Sequence, residues 1–309
     1  MSLISFAWRV GASVLAMAIT DCRHAGSCRR VGVRQKQRGF TLVELVLVIA
    51  LSGIVAVMIG TVLSRPLQGF VDQSRRAQLT DLAATALSRM ARDLRLAVPN
   101  SVREHQGGLA LLPIHEAGRY RESLGGTLPM CDADSCRLEV LTPLDADRVA
   151  ESRWLVIYNV GATSGGQPLP GQNLWAYERR GVVTPQGASF ERVILNGEQH
   201  VQVVGADDFR FAFASPQRRV YLAREAVRYR CEGDMANGRG TLWRETFDTL
   251  DVAHAPYSRA PLADSVSRCE LTYRPGNHAR NGFVTLRLSL TQDGETISLL
   301  QQVHVDNAP

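Results

Sequence analysis

"RQKQRGFTLVELVLVIALSG" spans residues 34–53. Arg34, Lys36 and Arg38 precede an apolar run, and one carboxylate, Glu44, sits inside it. From Thr41 to Leu63 there are 23 residues with that single charge, enough to cross about 30 Å of hydrocarbon as a helix. A secretory signal peptide has an apolar region of only about 7 to 15 residues followed by a small-residue cleavage site. The run therefore reads as a membrane-spanning helix. The positive-inside rule puts the three basic residues in the cytoplasm, so residues 65–309 are expected on the exported side. An ionised side chain in such a helix costs about 2.5 to 3.5 kcal/mol even on lenient insertion scales. Either Glu44 snorkels at the membrane edge, or something positive meets it.

Composition bounds the rest. The chain has 309 residues, 45% hydrophobic and 21% charged, which is globular in bulk. The formal charge is +5, but it is unevenly placed. Residues 1–39 hold seven basic groups against one acid, Asp21, and the remainder has 28 basic and 29 acidic residues. Without the leading segment the net charge is −1, so no nucleic-acid partner is expected on charge grounds. Cys22 and Cys28 precede the apolar run; Cys131, Cys136, Cys231 and Cys269 follow it. An even four downstream suits two disulfides in an oxidising compartment. Of the three connectivities, Cys131–Cys136, closing the loop "CDADSC", with Cys231–Cys269, tying two strand-like segments, is favoured. There is no CxxC and no His at ligand spacing, so neither a metal nor a cofactor is expected.

After Ser64-Arg65-Pro66 the pattern changes. Leu82, Ala86, Met90 and Leu94 recur every four residues, as do Leu79, Ala83, Leu87 and Ala91. Arg75, Arg76, Asp81, Arg89, Arg92 and Asp93 are expected on the opposite side. The spacing predicts an amphipathic helix ending near Val98-Pro99-Asn100, continuous with the apolar one and kinked at Pro66. Together they would measure about 85 Å at 1.5 Å per residue. Such a front half must pack on lipid or on other copies. From residue 100 the text turns to β. Candidate strands are 108–112, 137–142, 153–160, 191–195, 200–204, 208–215, 226–232, 241–245, 269–275, 282–291 and 296–305. In 283–290, Phe283, Thr285, Arg287 and Ser289 oppose Val284, Leu286, Leu288 and Leu290, the mark of a half-buried strand. Asp-Gly in "QDGE" (292–295) predicts a hairpin joining the last two strands. The fold class is α+β: one long N-terminal helix packed on an antiparallel β-rich domain. The expected divisions are a leader at 1–39, an apolar helix at 40–64, an amphipathic helix at 65–99 and a β-rich domain at 100–309.

No enzyme is expected. GxSxG, the P-loop, GxGxxG after a strand and HExxH are all missing from the sequence, and the histidines are scattered. Asp132 and Asp134, and Asp145 and Asp147, form D-x-D pairs, but neither pair has the glycine and glutamate of the common calcium loop; turn acids are the simpler reading. The run "RRVYLAREAVRYR" (218–230) is read as a strand pair with arginines exposed on one face. Trp154, Trp175 and Trp243 would support a binding groove if exposed, and core packing if buried. Glu44 invites a sharper reading. If the chain were cut between Gly39 and Phe40, the new α-amine of a neighbouring subunit could neutralise Glu44. That would fix an axial step between parallel helices and relieve a buried unpaired charge.

"RGFTLVELVLVIALSGIVA" resembles the type III signal of type IV prepilins and pseudopilins: a basic leader ending in Gly39, Phe40 as first mature residue, Glu44 as the fifth. The resemblance implies a membrane peptidase that cuts after Gly39 and methylates the Phe40 amine, with Glu44 as the subunit-assembly charge. It implies further partners: other major and minor pilins, an inner-membrane assembly platform, and the lipid bilayer before assembly. Residues 84–103 are similar to the larger minor pilins. The closing "GETISLLQQVHVDNAP" and the "VRYRCE", "LWRE" and "CELTY" segments are similar to a minor pilin of the mannose-sensitive haemagglutinin (MSHA) pilus. The implied role is a low-copy subunit that primes or tips a fibre, with its C-terminal domain in the periplasm before assembly. A minor pseudopilin of type II secretion and a tip adhesin are the alternatives. A 39-residue leader is long for the family, so Val31 or Val33 is a candidate start, and residues 1–30 need not be made.

Overall fold

The computed structural model describes residues 41–121, 136–276 and 281–309. The chain divides into two units after Thr61. Helix α1 (Leu42–Arg95) begins in the first and ends in the second, and its helical backbone carries on through Pro66. In the first unit, residues 41–60 are exposed throughout.

In the second unit α1 is amphipathic, with Leu79, Ala83, Ala86, Leu87, Met90, Ala91 and Leu94 buried and Leu82 packed at their margin. Steps of three and four keep them on one face. Leu79, Leu87, Met90 and Leu94 each contribute about 1.5–3 kcal/mol by leaving water. Arg92 and Arg95 stand in the last turn, where cations complement the helix dipole. The helix ends there because Leu96 and Ala97 begin a different pairing: the Ile114 N–H donates to the Leu96 carbonyl, and Ala97 bridges Pro113. Asn100 then turns the chain in the left-handed region, with φ 59°.

The face of α1 lies on a seven-stranded antiparallel sheet of described residues: β1 (Arg103–His105), β2 (Gly108–Leu111), β3 (Ala226–Asp234), β4 (Arg239–Phe247), β5 (Ser258–Arg274), β6 (Gly282–Gln292) and β7 (Glu295–Val305). The spatial order is the chain order. In β6, Val284, Leu286, Leu288 and Leu290 face the helix core, while Phe283, Thr285 and Arg287 are half-buried on the opposite face. The β6–β7 turn is Asp293-Gly294, with φ 49° and 85° between the paired residues Gln292 and Glu295. Both angles are positive, as a two-residue primed turn requires to match the strand twist. Arg75 pairs with Asp293 at 3.2 Å and Arg76 reaches Glu295 at 4.0 Å, so the hairpin tip is tied to α1.

Residues 112–225 form an insert between β2 and β3. It holds one three-stranded sheet (Glu116–Arg119, Arg219–Ala223, Trp154–Val156) and another (Cys136–Glu139, Glu198–Val204, Ser189–Leu195). One core gathers Leu138, Val149, Leu155, Phe190, Val201, Phe209 and Leu222; another gathers Val98, Leu112, Trp154, Val182, Tyr221 and Phe247. The short helix α2 (Ala146–Glu151) is capped by Asp145, whose carboxylate accepts the Arg148 N–H at 3.0 Å. Asp145 is thus an N-cap and Asp147 a first-turn acid, both ordinary roles. Asp132 and Asp134 lie outside the described residues.

Four expectations are corrected. The run at 153–160 is a strand only over Trp154–Val156, because Tyr158 turns left-handed (φ 53°) and Asn159 replaces ladder bonds with side-chain ones to Pro99 and Leu174. The run at 208–215 keeps only Arg210–Phe211, since Asp208 has φ 60°. The arginine run is no strand pair: Arg219–Ala223 and β3 belong to different sheets, and Arg228 is buried rather than exposed. Asp93 is drawn toward the sheet, where the Tyr229 hydroxyl donates to it at 2.6 Å and the Arg244 Nε at 3.0 Å. Burial, reinforced by the Asp93 carboxylate, pushes the Tyr229 phenol well above its ordinary range.

Candidate functional site

The first unit presents the site that the opening stretch foretells. Leu42–Gly60 is long and apolar enough to cross a membrane, and none of it is buried within the protein. Leu, Val and Ile side chains from Leu42 to Ile59 are all more than half exposed. An apolar surface of this extent is not left to water by a soluble monomer. Glu44 lies in the first turn of α1, exposed, and its backbone N–H donates to the Thr41 hydroxyl at 3.3 Å. Thr41-x-x-Glu44 is a helix-start pattern, with the acid near the positive end of the helix dipole. Sequence reasoning passed over this signal. It explains why a carboxylate is tolerated at that turn, but supplies no counter-charge for it. Gly39 and Phe40 lie outside the described residues.

Residues 34–60 match the family model described as the prokaryotic N-terminal methylation motif. The chain carries the N-terminal methylation motif. The match supports a type IV prepilin or pseudopilin, and it implies processing by a prepilin peptidase and partnership with other pilins in general. The single apolar helix and the motif together fit anchoring in the inner membrane. Neither a search of curated proteins nor one of solved structures gives a match.

In the β-rich part of the chain, Cys231 on β3 is bonded to Cys269 on β5, with Cα atoms 6.4 Å apart. Both half-cystines pack against the core beneath α1. Cys136 is also disulfide-bonded; Cys131 lies outside the described residues. The bond between β3 and β5 closes a separation of 38 residues. On the chain-entropy account that restrains the unfolded chain by about 4 kcal/mol.

The opposite face of the large sheet carries a charge cluster that the sequence pattern concealed. Arg228 and Glu245, at 2% and 1% side-chain exposure, pair at 2.7 Å. Arg228 also donates to the Val252 carbonyl at 2.6 Å and to Gln106 at 3.0 Å, and lies 5.1 Å over the Phe247 ring. Arg230 and Arg259 approach Glu245 from the outer side at 3.5 and 3.3 Å, and both also pair with Glu232. One buried carboxylate is thus shared by three guanidiniums.

Two other groupings bear on binding. Glu139, Glu198 and His200 bring ligand atoms within 4.8 Å of one another. The Arg121 guanidinium meets both carboxylates at 2.7 and 3.2 Å, so this group reads as an ion-pair network that already has its cation. The tryptophans divide: Trp154 is buried in a core, Trp175 is half-buried under Arg103 at 4.3 Å, and Trp243 is half-buried under Arg259 at 4.0 Å.

Proposed function

We propose that this chain is a minor pilin, resembling MshO, that helps to prime or tip an MSHA-like type IV pilus. It is cut after Gly39 and N-methylated on Phe40. Its apolar helix rests in the inner membrane with the β-rich domain in the periplasm, and then joins the helical core of a fibre at the cell surface. In this reading the β-rich domain serves assembly and recognition, and is not an enzyme. The observation that carries it is the bare apolar stretch Leu42–Gly60 with its one acid, Glu44, inside the matched motif. Lipid covers that surface before assembly, and neighbouring helices cover it afterwards. The 270 residues from Phe40 to Pro309 are many for a repeating major subunit, which favours a low-copy place.

Glu44 is the assembly charge in this account, paired with the Phe40 amine of an adjacent subunit. Glu44→Val makes the helix more apolar, so insertion into the inner membrane is kept. Incorporation into sheared surface fibres should fall at least tenfold, measured by immunoblot of fibre against membrane fractions. Wild-type incorporation of Glu44→Val would contradict the pairing. Deletion of the gene should reduce surface fibres; loss of protein secretion with fibres intact would instead assign the chain to a type II secretion system.

A further inference from the structure

A cleft of about 720 Å³ opens beside β1, where the insert and the β4–β5 connection meet it. Its walls include Arg103, His105, Trp175, Tyr177, Gln186 and Asp251. The volume lies within the range of small-molecule sites. The aromatic wall is fixed in place: the Trp175 Nε1 donates to the Ser101 carbonyl at 2.8 Å, and its backbone N–H donates to Asn173 at 3.1 Å. Tyr177 stacks near Phe209, with ring centroids 6.4 Å apart, and keeps about half its surface exposed.

The polar groups of the cleft are less settled. Arg103 lies over the Trp175 ring, yet its guanidinium pairs with no carboxylate among the described residues, and its Nε is buried without a hydrogen-bond partner. The His105 Nε2, two residues along the same strand, is likewise buried and unpartnered. Buried polar atoms in native proteins nearly always find a partner; of four orphans among the described residues, His115 Nε2 and Arg230 Nε lie elsewhere, and the two that share one cleft point to a ligand there. Burial lowers the Arg103 guanidinium to about 10, partly offset by Asp251, so it remains a cation at neutral pH. Asp251 is engaged elsewhere, accepting the Ala253 N–H at 3.0 Å and meeting His254 at 2.9 Å.

We infer that this cleft binds a short acidic saccharide, of one or two rings, with its carboxylate on Arg103 and a hydroxyl on His105. A planar guanidinium with an unused donor suits a carboxylate. The exposed face of Tyr177 and the half-buried Trp175 suit the C–H face of a sugar ring, and the Gln186 amide suits its hydroxyls. An apolar ligand would leave both orphan nitrogens unmet, and a bare anion would leave the aromatic wall unused. The inference stands apart from the pilus reading, since it rests on the β-rich part alone.

The test uses the mature full-length chain in detergent, titrated with digalacturonate, digalactose and acetate while intrinsic tryptophan fluorescence and calorimetry are followed. Digalacturonate should saturate and should bind at least tenfold more tightly than digalactose or acetate. Arg103→Gln should weaken it at least tenfold, with Arg103→Lys intermediate and with an unchanged thermal unfolding midpoint showing that both variants fold. If Arg103→Gln does not fold, His105→Gln serves in its place, with at least threefold weakening expected. Equal binding of digalacturonate and acetate would reduce the site to an anion site and overturn the inference. So would equal binding of the acidic and neutral sugars, no saturation by 10 mM digalacturonate, or full affinity in the folded variants.

Discussion

At the scale of single residues, the buried Arg228–Glu245 pair is the most consequential feature of the β-rich domain. Arg228, Arg230 and Glu232 alternate along β3, and in one dimension such alternation reads as a solvent face. The structure differs because the chain after β4 folds back, so that the Val252 carbonyl closes over Arg228. Nothing in the local pattern announces that cover. Removing one partner strands the other charge in a medium that solvates it poorly. Glu245→Gln should therefore destabilise the mature chain by about 3–5 kcal/mol, read from urea unfolding in detergent. The double variant Arg228→Met/Glu245→Leu should be less destabilised than Glu245→Gln, because it leaves no lone charge at the pair; equal or greater loss in the double variant would count against that account. His105 gives a pH signature. Burial first, then the charges of Arg103 and Arg228, hold its imidazole below the ordinary 6.5, with Asp251 opposing. The unfolded chain then takes up a proton that the folded chain resists. This contribution to stability is fully present above about pH 6.5 and is lost as pH falls below it. Between pH 7.5 and 5.5 the urea midpoint of the wild type should drop more than that of His105→Gln; parallel slopes would contradict the assignment.

At the scale of elements, α1 and the β6–β7 hairpin were the most legible. The two four-residue series in α1 are the side chains found buried, with Leu82 at the margin, since a helix has little freedom in which face it buries. Met90→Ala should cost about 2–5 kcal/mol, while Arg89→Ala, on the exposed side, should stay within about 0.5 kcal/mol; thermal unfolding of the two variants compares them directly. Asp293-Gly294 announces its turn by residue type, and Asn196-Gly197 and Gln106-Gly107 make the same kind of turn, each with both φ positive. The first half of β5 was illegible for a physical reason. Pro261 lacks a donor, Ser265 has φ 56°, and the register shifts against β4 and against β6. A bulged strand breaks the period of two on which pattern reading depends. The cleft was hidden for a different reason: Arg103, Trp175 and Asp251 are far apart in the chain, and only the return of the insert to β1 brings them together. Cys231→Ser/Cys269→Ser should lower stability by about 4 kcal/mol, with the m-value of the urea transition reporting any change in the unfolded chain.

At the scale of the whole molecule, two surfaces of opposite character share one chain. The β-rich unit gathers three apolar cores and closes the Arg228–Glu245 pair within itself. The stretch Leu42–Gly60 satisfies nothing alone: its apolar side chains are bare, and its one acid, Glu44, has only the Thr41 cap on its backbone N–H and the helix dipole. Such a chain is a component. Length, apolarity and a lone carboxylate are all legible in one dimension in residues 34–53. The partner of the carboxylate is not, since it belongs to another copy. The central claim, that the chain is cut after Gly39 to free the Phe40 amine for a neighbour's Glu44, has a direct test. Intact mass and N-terminal sequence would be determined for the protein recovered from membranes and from sheared surface fibres. The account predicts a chain that begins at N-methylated Phe40 in the fibre fraction. A chain that keeps the residues before Phe40 in every fraction that holds it would contradict it.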